Sequence, residues 1–163
     1  MINHGFKTIF HKLAWQDKIY ALDLAHKFQH PFTKEFVELV KISLLCADYK
    51  SDLFAAKVDR RGQSQMITVQ NLTQLMSVFQ QREVATFEVW KKLELTIAQV
   101  YESMQHALDE RRKDPNLDRS DPENVSVLSK QDIIILGMLL SQNSLFLTNT
   151  WECIQNDLER IID

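Results

Sequence analysis

Apolar residues at the start of the chain recur with the spacing of an α-helix. Over residues 6–28 they follow one another at steps of three, four or seven, which places them on one helical face: Phe6, Phe10, Leu13, Tyr20, Leu24 and Phe28. The pattern predicts one helix over 6–28, and Pro31 ends it. Thr33 is then predicted to cap a second, mostly apolar helix that runs to Ala47, with Phe32 and Val37 as its hydrophobic staple.

The middle of the chain contains few helix-breaking residues. A short helix is expected over 51–61, ended by Gly62. Residues 68–113 then contain no Gly or Pro, and 46 helical residues would extend about 69 Å. A domain of this size has a radius of gyration of only about 15 Å. We therefore expect a break at the polar residues 80–83, followed by a helix with a regular apolar stripe from Phe87 to Leu108.

The last third begins with a polar connection and ends in an apolar segment. Residues 114–128 are rich in Asp and are predicted to form a polar interhelical loop. Ser129 and Asp132 have the spacing of a capping box, and Leu128 and Ile133 that of a staple. A helix is predicted from there to about Ile161. Its length matches that of the helix before the loop, so the two are expected to form a long antiparallel hairpin.

The fold class follows from this succession of helices and from the composition. The 163 residues include three Gly and three Pro, too few for the tight turns of a sandwich or barrel and too scattered for a glycine-rich phosphate loop. We predict an all-α protein, a single-domain bundle of five or six helices over 1–163. Its core should come from residues 33–47, 85–110 and 129–161.

Charge and cysteine content restrict the partners and the compartment. The net charge is −3, and residues 114–163 hold nine Asp and Glu against three Lys and Arg. An acidic segment repels phosphate backbones, so no nucleic acid is expected; it can bind a basic protein surface or simply face solvent. The start lacks a signal-peptide pattern and no apolar run is long enough to span a membrane. We expect a cytoplasmic protein with two buried free thiols.

Three side chains near the end of the first helix form the best candidate for a metal site. Asp23, His26 and His30 lie three and four residues apart, so they can share a helical face as carboxylate and imidazole ligands do around a divalent ion. No matching ligand pair occurs elsewhere in the sequence. His26 also continues an apolar stripe that contains Ile19 and Leu22, a pattern equally typical of a packed histidine.

Small residues recur along the last predicted helix. Gly137, Ser141, Ser144 and Thr148 follow at steps of four, three and four, and small side chains let another backbone approach closely. The pattern predicts a helix-packing or interface stripe, whose neighbour is another helix of this chain or a second chain.

The sequence contains no catalytic, nucleotide-binding or phosphate-binding motif, and it indicates no cofactor. Catalysis by scattered residues stays open. The prediction is a non-enzymatic protein–protein interaction module, such as a regulator, adaptor, chaperone or inhibitor. It would present helical surfaces to a protein partner or to itself as a homodimer. The alternative is a metal-binding or metal-sensing helical protein that uses Asp23, His26 and His30.

Overall fold

The described part of the chain is all helical in a computed structural model, which describes residues 4–47, 67–83 and 86–162. These residues form seven α-helices and no strand. The helices are α1 (His4–Lys12), α2 (Trp15–Lys27), α3 (Thr33–Cys46), α4 (Val69–Arg82), α5 (Phe87–Arg112), α6 (Lys130–Gln142) and α7 (Thr148–Ile162). The all-α prediction is confirmed, whereas the predicted number of five or six helices is too low, because two of the predicted helices are each divided. The short helix expected over 51–61, and Gly62 after it, lie outside the described residues.

The chain divides into two compact units. Unit 1 comprises residues 1–67 and 74–92, and unit 2 comprises residues 68–73 and 93–163. Residues of α4 and α5 belong to both. The single domain over 1–163 stays a prediction.

The first predicted helix is two helices, so the expectation of one helix over 6–28 is wrong. Ala14 has an extended backbone with φ −62° and ψ 153°, and it separates α1 from α2. Phe10 and Trp15 would lie about 140° apart around a continuous helix. Both are buried in the structure, at 1% and 7% exposure, and the break lets both side chains reach the core of unit 1.

Thr33 has a different role from the predicted N-cap. It is the first residue of α3, and its hydroxyl donates to the carbonyl oxygens of Ala25 (2.9 Å) and His30 (2.6 Å). The buried hydroxyl therefore ties the start of α3 to the end of α2.

The break predicted at 80–83 is confirmed, because α4 ends at Arg82 and Glu83 has a positive φ of 51°.

The end of α5 at Arg112 and the polar loop after it also match the prediction. Within that loop a short 3₁₀ turn spans Pro122–Asn124, and the Asp121 side chain caps it by accepting from the Glu123 N–H. Ser129 caps α6 as expected, accepting from the Asp132 N–H at 3.1 Å.

The last predicted helix is divided, and the expectation of one helix to Ile161 is wrong. Ser144 follows α6 with a φ of 55°, in the left-handed region usually occupied by glycine. Its N–H donates to the Ser141 carbonyl (3.2 Å), and the Leu145 N–H donates to the Leu140 carbonyl (2.9 Å). This is a Schellman motif with two buried leucines at its ends. Serine therefore occupies the position after this helix at which glycine is the usual residue.

Glycine at this turn is expected to stabilise the protein. Ser144→Gly relieves the left-handed strain and should raise the free energy of unfolding by about 0.5–1 kcal/mol. The same change at Ser141, inside α6, should lower it by about 0.5–1 kcal/mol. Urea denaturation of both variants measures these changes in the free energy of unfolding. If both variants were stabilised, or both destabilised, the result would contradict the position of the break.

Candidate functional site

A polar cleft of about 860 Å³ lies within unit 1, where α2 and α4 present polar side chains to each other. On each helix the lining residues recur at the three- and four-residue spacing of one helical face. The lining residues are Asp23, His26, Lys27, Gln29, His30, Gln74, Ser77, Val78, Gln81 and Arg82.

Asp23 is the only carboxylate among the described residues of the lining, and it is partnered. Its Oδ2 lies 2.7 Å from the Lys27 ammonium, and the Gln74 amide donates to the same oxygen at 3.4 Å. Asp23 is buried while the Lys27 side chain is 63% exposed, so the ion pair lies at the surface of the cleft. The two charges offset each other.

Both ring nitrogens of His26 are engaged. Nδ1 accepts a hydrogen bond from Arg82 Nε at 2.9 Å, so the proton is on Nε2, which donates to Gln81 Oε1. The hydrogen bonds therefore select the neutral Nε2–H tautomer. They also join the last turn of α2 to the last turn of α4.

His30 is held by the turn that ends α2. Gln29 has a φ of 50°, and the His30 N–H donates to the Ala25 carbonyl at 2.8 Å, which completes a second Schellman motif. Nδ1 of His30 accepts from the Phe32 N–H at 3.1 Å. The imidazole therefore carries its proton on Nε2 and can donate a hydrogen bond from that atom.

The predicted metal ligands Asp23, His26 and His30 all line this cleft. Each of them has protein hydrogen-bond partners, and no group of three or more His, Cys, Asp or Glu among the described residues could hold a metal ion. Metal binding stays a prediction. The lining residues of α4 were missed, although Gln74, Ser77 and Gln81 have the spacing of one polar helical face.

A second candidate surface is the exposed side of α6, in unit 2. Ile134 and Met138 are 53% and 55% exposed, and Ile135 is 37% exposed. No charged residue occurs in the sequence between Asp132 and Glu152. We call Ile134, Ile135 and Met138 the α6 apolar face. Contiguous exposed apolar groups on a protein surface are typical of an interaction site.

The small-residue stripe is not the continuous helical row that was expected. Gly137 and Ser141 belong to α6, Ser144 lies in the turn after it, and Thr148 begins α7. A Cβ at Gly137 would lie 4.0 Å from Trp151 Cζ3, an ordinary van der Waals distance. The nearest neighbour of Gly137 is thus a side chain of α7. An interface role for Gly137, Ser141, Ser144 and Thr148 stays a prediction.

A buried carboxyl group joins three segments of unit 2. Asp157 has no exposed surface, and its oxygens accept from Tyr101 Oη (2.7 Å), from Gln105 Nε2 (3.3 Å) and from the backbone N–H groups of Val127 (3.2 Å) and Leu128 (3.1 Å). Burial, together with the hydrogen bond to Asp157, raises the pKa of Tyr101. This group of residues stabilises unit 2, and none of them lines the cleft.

The two cysteines are free thiols in different environments. Cys153 is buried as expected, whereas Cys46 is exposed at the end of α3, so the expectation of two buried thiols is wrong for Cys46. Burial, and to a lesser extent the nearby carboxylate of Glu102, raises the pKa of Cys153 to about 12.

The two thiols should therefore differ in reactivity. At pH 8 the native protein is expected to react rapidly with one equivalent of a disulfide reagent such as Ellman's reagent, because only the Cys46 thiol is exposed to the reagent. Cys46→Ser should abolish the fast phase, and unfolding in guanidinium should expose both thiols. A fast phase that survives in Cys46→Ser would contradict the burial of Cys153.

Comparisons with protein-family models, with curated proteins and with solved structures find no match for this chain. Within the part of the chain that the structure describes, no helix is long and apolar enough to cross a bilayer.

Proposed function

We propose that the protein is a non-enzymatic interaction module that binds a protein partner through the α6 apolar face. The observation that carries the proposal is the exposure of Ile134, Ile135 and Met138 on a helix surface that has no charge after Asp132. Leaving such side chains in water costs roughly 25 cal/mol for each Å² of apolar surface that a partner would cover. Binding of a partner that covers these side chains is therefore favourable.

The charge of unit 2 favours a partner of a particular kind. Its residues include 13 Asp and Glu against 6 Lys and Arg. A protein with an apolar patch surrounded by Lys and Arg would be attracted to this unit, and salt would weaken the attraction. Two copies of unit 2 would repel each other, so a homodimer through this face is the less favoured form of the proposal.

Recovery of a partner from native lysate tests the proposal when three baits are compared. The wild type and Gln131→Glu, which adds a charge to α6 at an exposed polar position, should retain the same protein. The double variant Ile134→Glu, Met138→Glu should lose it at least tenfold, because each glutamate must be desolvated in the interface. Equal recovery by all three baits, or loss with Gln131→Glu alone, would contradict the proposal.

Sedimentation of the purified chain tests the homodimer. A monomer at high concentration, unchanged by 0.5 M salt, would leave only a different protein as the partner. A dimer that persists in the double variant would show that self-association uses another surface.

We also propose that α5 and α6 form the antiparallel pair expected from the sequence. Leu128, before α6, and Tyr101 of α5 both hydrogen-bond to Asp157, and Leu147, after α6, donates its N–H to Glu94 of α5 (2.9 Å). Later residues of the α6 segment therefore lie beside earlier residues of α5, as in an antiparallel pair. The Asn149 amide donates to Glu102 of α5, and the Arg160 guanidinium donates to Asp109 of α5, which supports a course of α7 parallel to α5.

The alternative function, a metal-binding or metal-sensing protein, depends on Asp23, His26 and His30. Its support is that the three side chains line one cleft. Elemental analysis of protein purified without a tag, and melting curves with added zinc, iron or manganese, test it. Absence of stoichiometric metal together with an unchanged melting temperature would leave it without support.

A further inference from the structure

The charges of the cleft in unit 1 do not cancel. Asp23 and Lys27 pair with each other, which leaves the guanidinium of Arg82 as the remaining formal charge among the described residues of the lining. Within the described ranges, no second carboxylate lines the cleft. A cleft with one uncompensated cation attracts an anion.

Arg82 is held in a defined orientation. Its Nε donates to His26 Nδ1, and the imidazole is fixed in turn by Gln81. Among the described residues, none accepts a hydrogen bond from the two terminal nitrogens of Arg82. A guanidinium anchored at Nε still offers those nitrogens to an oxyanion, and charge-assisted hydrogen bonds of this kind are among the strongest in proteins.

The rest of the lining supplies neutral hydrogen-bonding groups. Nε2 of His30 is a donor because Nδ1 accepts from the Phe32 N–H. The Gln29 amide and the Ser77 hydroxyl also line the cleft, and Val78 is the only aliphatic residue in the described part of its lining. At about 860 Å³ the cleft is much larger than a phosphate ion and lies within the usual size range of small-molecule sites.

We propose that the cleft between α2 and α4 binds a small polar organic anion, whose phosphate or carboxylate group hydrogen-bonds to Arg82 while its body contacts the amide, hydroxyl and imidazole groups of the lining. The proposal does not depend on the protein-binding function, because the cleft belongs to unit 1 and the α6 apolar face to unit 2. Either can fail without the other.

Titration of the full chain with glycerol 3-phosphate, followed by NMR and calorimetry, tests the proposal. Glycerol and sodium chloride at matched ionic strength are the uncharged and non-specific controls. Saturable binding with shifts at His26, Gln81 and Arg82 is expected for glycerol 3-phosphate and for neither control. Parallel titrations with inorganic phosphate and glycerate distinguish a phosphate site from a carboxylate site.

Three substitutions give expected effects of opposite sign. Arg82→Gln should weaken binding at least tenfold, because it removes the guanidinium group and its positive charge. Asp23→Asn removes a carboxylate of the lining and releases Lys27, so it should tighten binding several-fold. Lys34→Gln removes an exposed charge of unit 1 outside the cleft and should change affinity less than about twofold.

Circular dichroism confirms that each variant is folded before titration. Weaker binding in Asp23→Asn or equal losses in Arg82→Gln and Lys34→Gln would overturn the proposal. So would the absence of saturable binding of glycerol 3-phosphate, inorganic phosphate and glycerate by the wild type. A general loss of structure cannot produce tighter binding in Asp23→Asn, so that variant separates electrostatics from folding.

Discussion

Replacement of Asp157 by alanine is expected to lower the free energy of unfolding by about 3–5 kcal/mol, the largest effect of any single substitution considered for this protein. The carboxyl group is fully buried and accepts hydrogen bonds from Tyr101, Gln105, Val127 and Leu128. Its removal leaves two backbone N–H groups and a tyrosine hydroxyl without their acceptor. Each such buried donor costs about 1–3 kcal/mol.

Equilibrium unfolding in urea, followed by circular dichroism at 222 nm, measures this loss. Glu159→Ala is the matched control, because Glu159 is an exposed carboxylate two residues away on α7, and it should cost less than about 0.5 kcal/mol. A loss below about 1 kcal/mol in Asp157→Ala would mean that the donors find water instead, and the junction of α5, α7 and the 114–128 loop would not depend on this residue.

Replacement of Glu94 by alanine is expected to have the second largest effect, a loss of about 2–3 kcal/mol. Glu94 is 4% exposed, and its Oε1 accepts from the Leu147 N–H (2.9 Å) immediately before α7. A carboxylate at the N-terminus of a helix satisfies a free N–H group and interacts favourably with the helix dipole. Alanine removes both contributions.

Two further variants separate burial from charge in that result. Glu94→Gln keeps an acceptor oxygen and should recover at least half of the loss. Glu102→Ala removes another carboxylate of α5 that bonds to α7, through Asn149, but Glu102 is exposed and the expected cost is about 0.5 kcal/mol. Similar losses for Glu94→Ala and Glu102→Ala would contradict the proposed role of the buried carboxylate.

The helical content of the protein was predictable because it depends on local patterns. Apolar spacing and the scarcity of Gly and Pro require no knowledge of distant contacts, and the N-cap at Ser129 follows from the residue types of one turn. The break after Arg82 was predictable for the same reason, since a run of polar residues interrupts the apolar stripe there.

The breaks at Ala14 and Ser144 were not predictable from the usual signals. Ala14 favours helix by propensity, and its extended backbone serves the burial of Phe10 and Trp15, which is a tertiary effect. Ser144 takes the left-handed conformation that glycine normally adopts. The polar sequence from Ser141 to Ser144 was the available signal, and the apolar residues on both sides concealed it.

The candidate site was predictable in part. Helical spacing placed Asp23, His26 and His30 together. It could not show that Asp23 pairs with Lys27 and that His26 accepts a hydrogen bond from Arg82. Arg82 comes from α4, more than fifty residues later, and the pairing of α2 with α4 depends on the tertiary fold. The α6 apolar face was missed for a related reason, because a uniformly apolar helix does not indicate which side other helices cover.

Oxidative footprinting of Met138 in the complex with the recovered partner tests the central claim most directly. Met138 is 55% exposed, so hydroxyl radicals should convert it rapidly to the sulfoxide in the free protein. In the complex we expect its oxidation rate to fall at least about fivefold, as burial in an interface requires, while Met104 of α5 keeps its rate. An unchanged rate at Met138 in a saturated complex would show that the partner binds elsewhere, and the assignment of the α6 apolar face would be wrong.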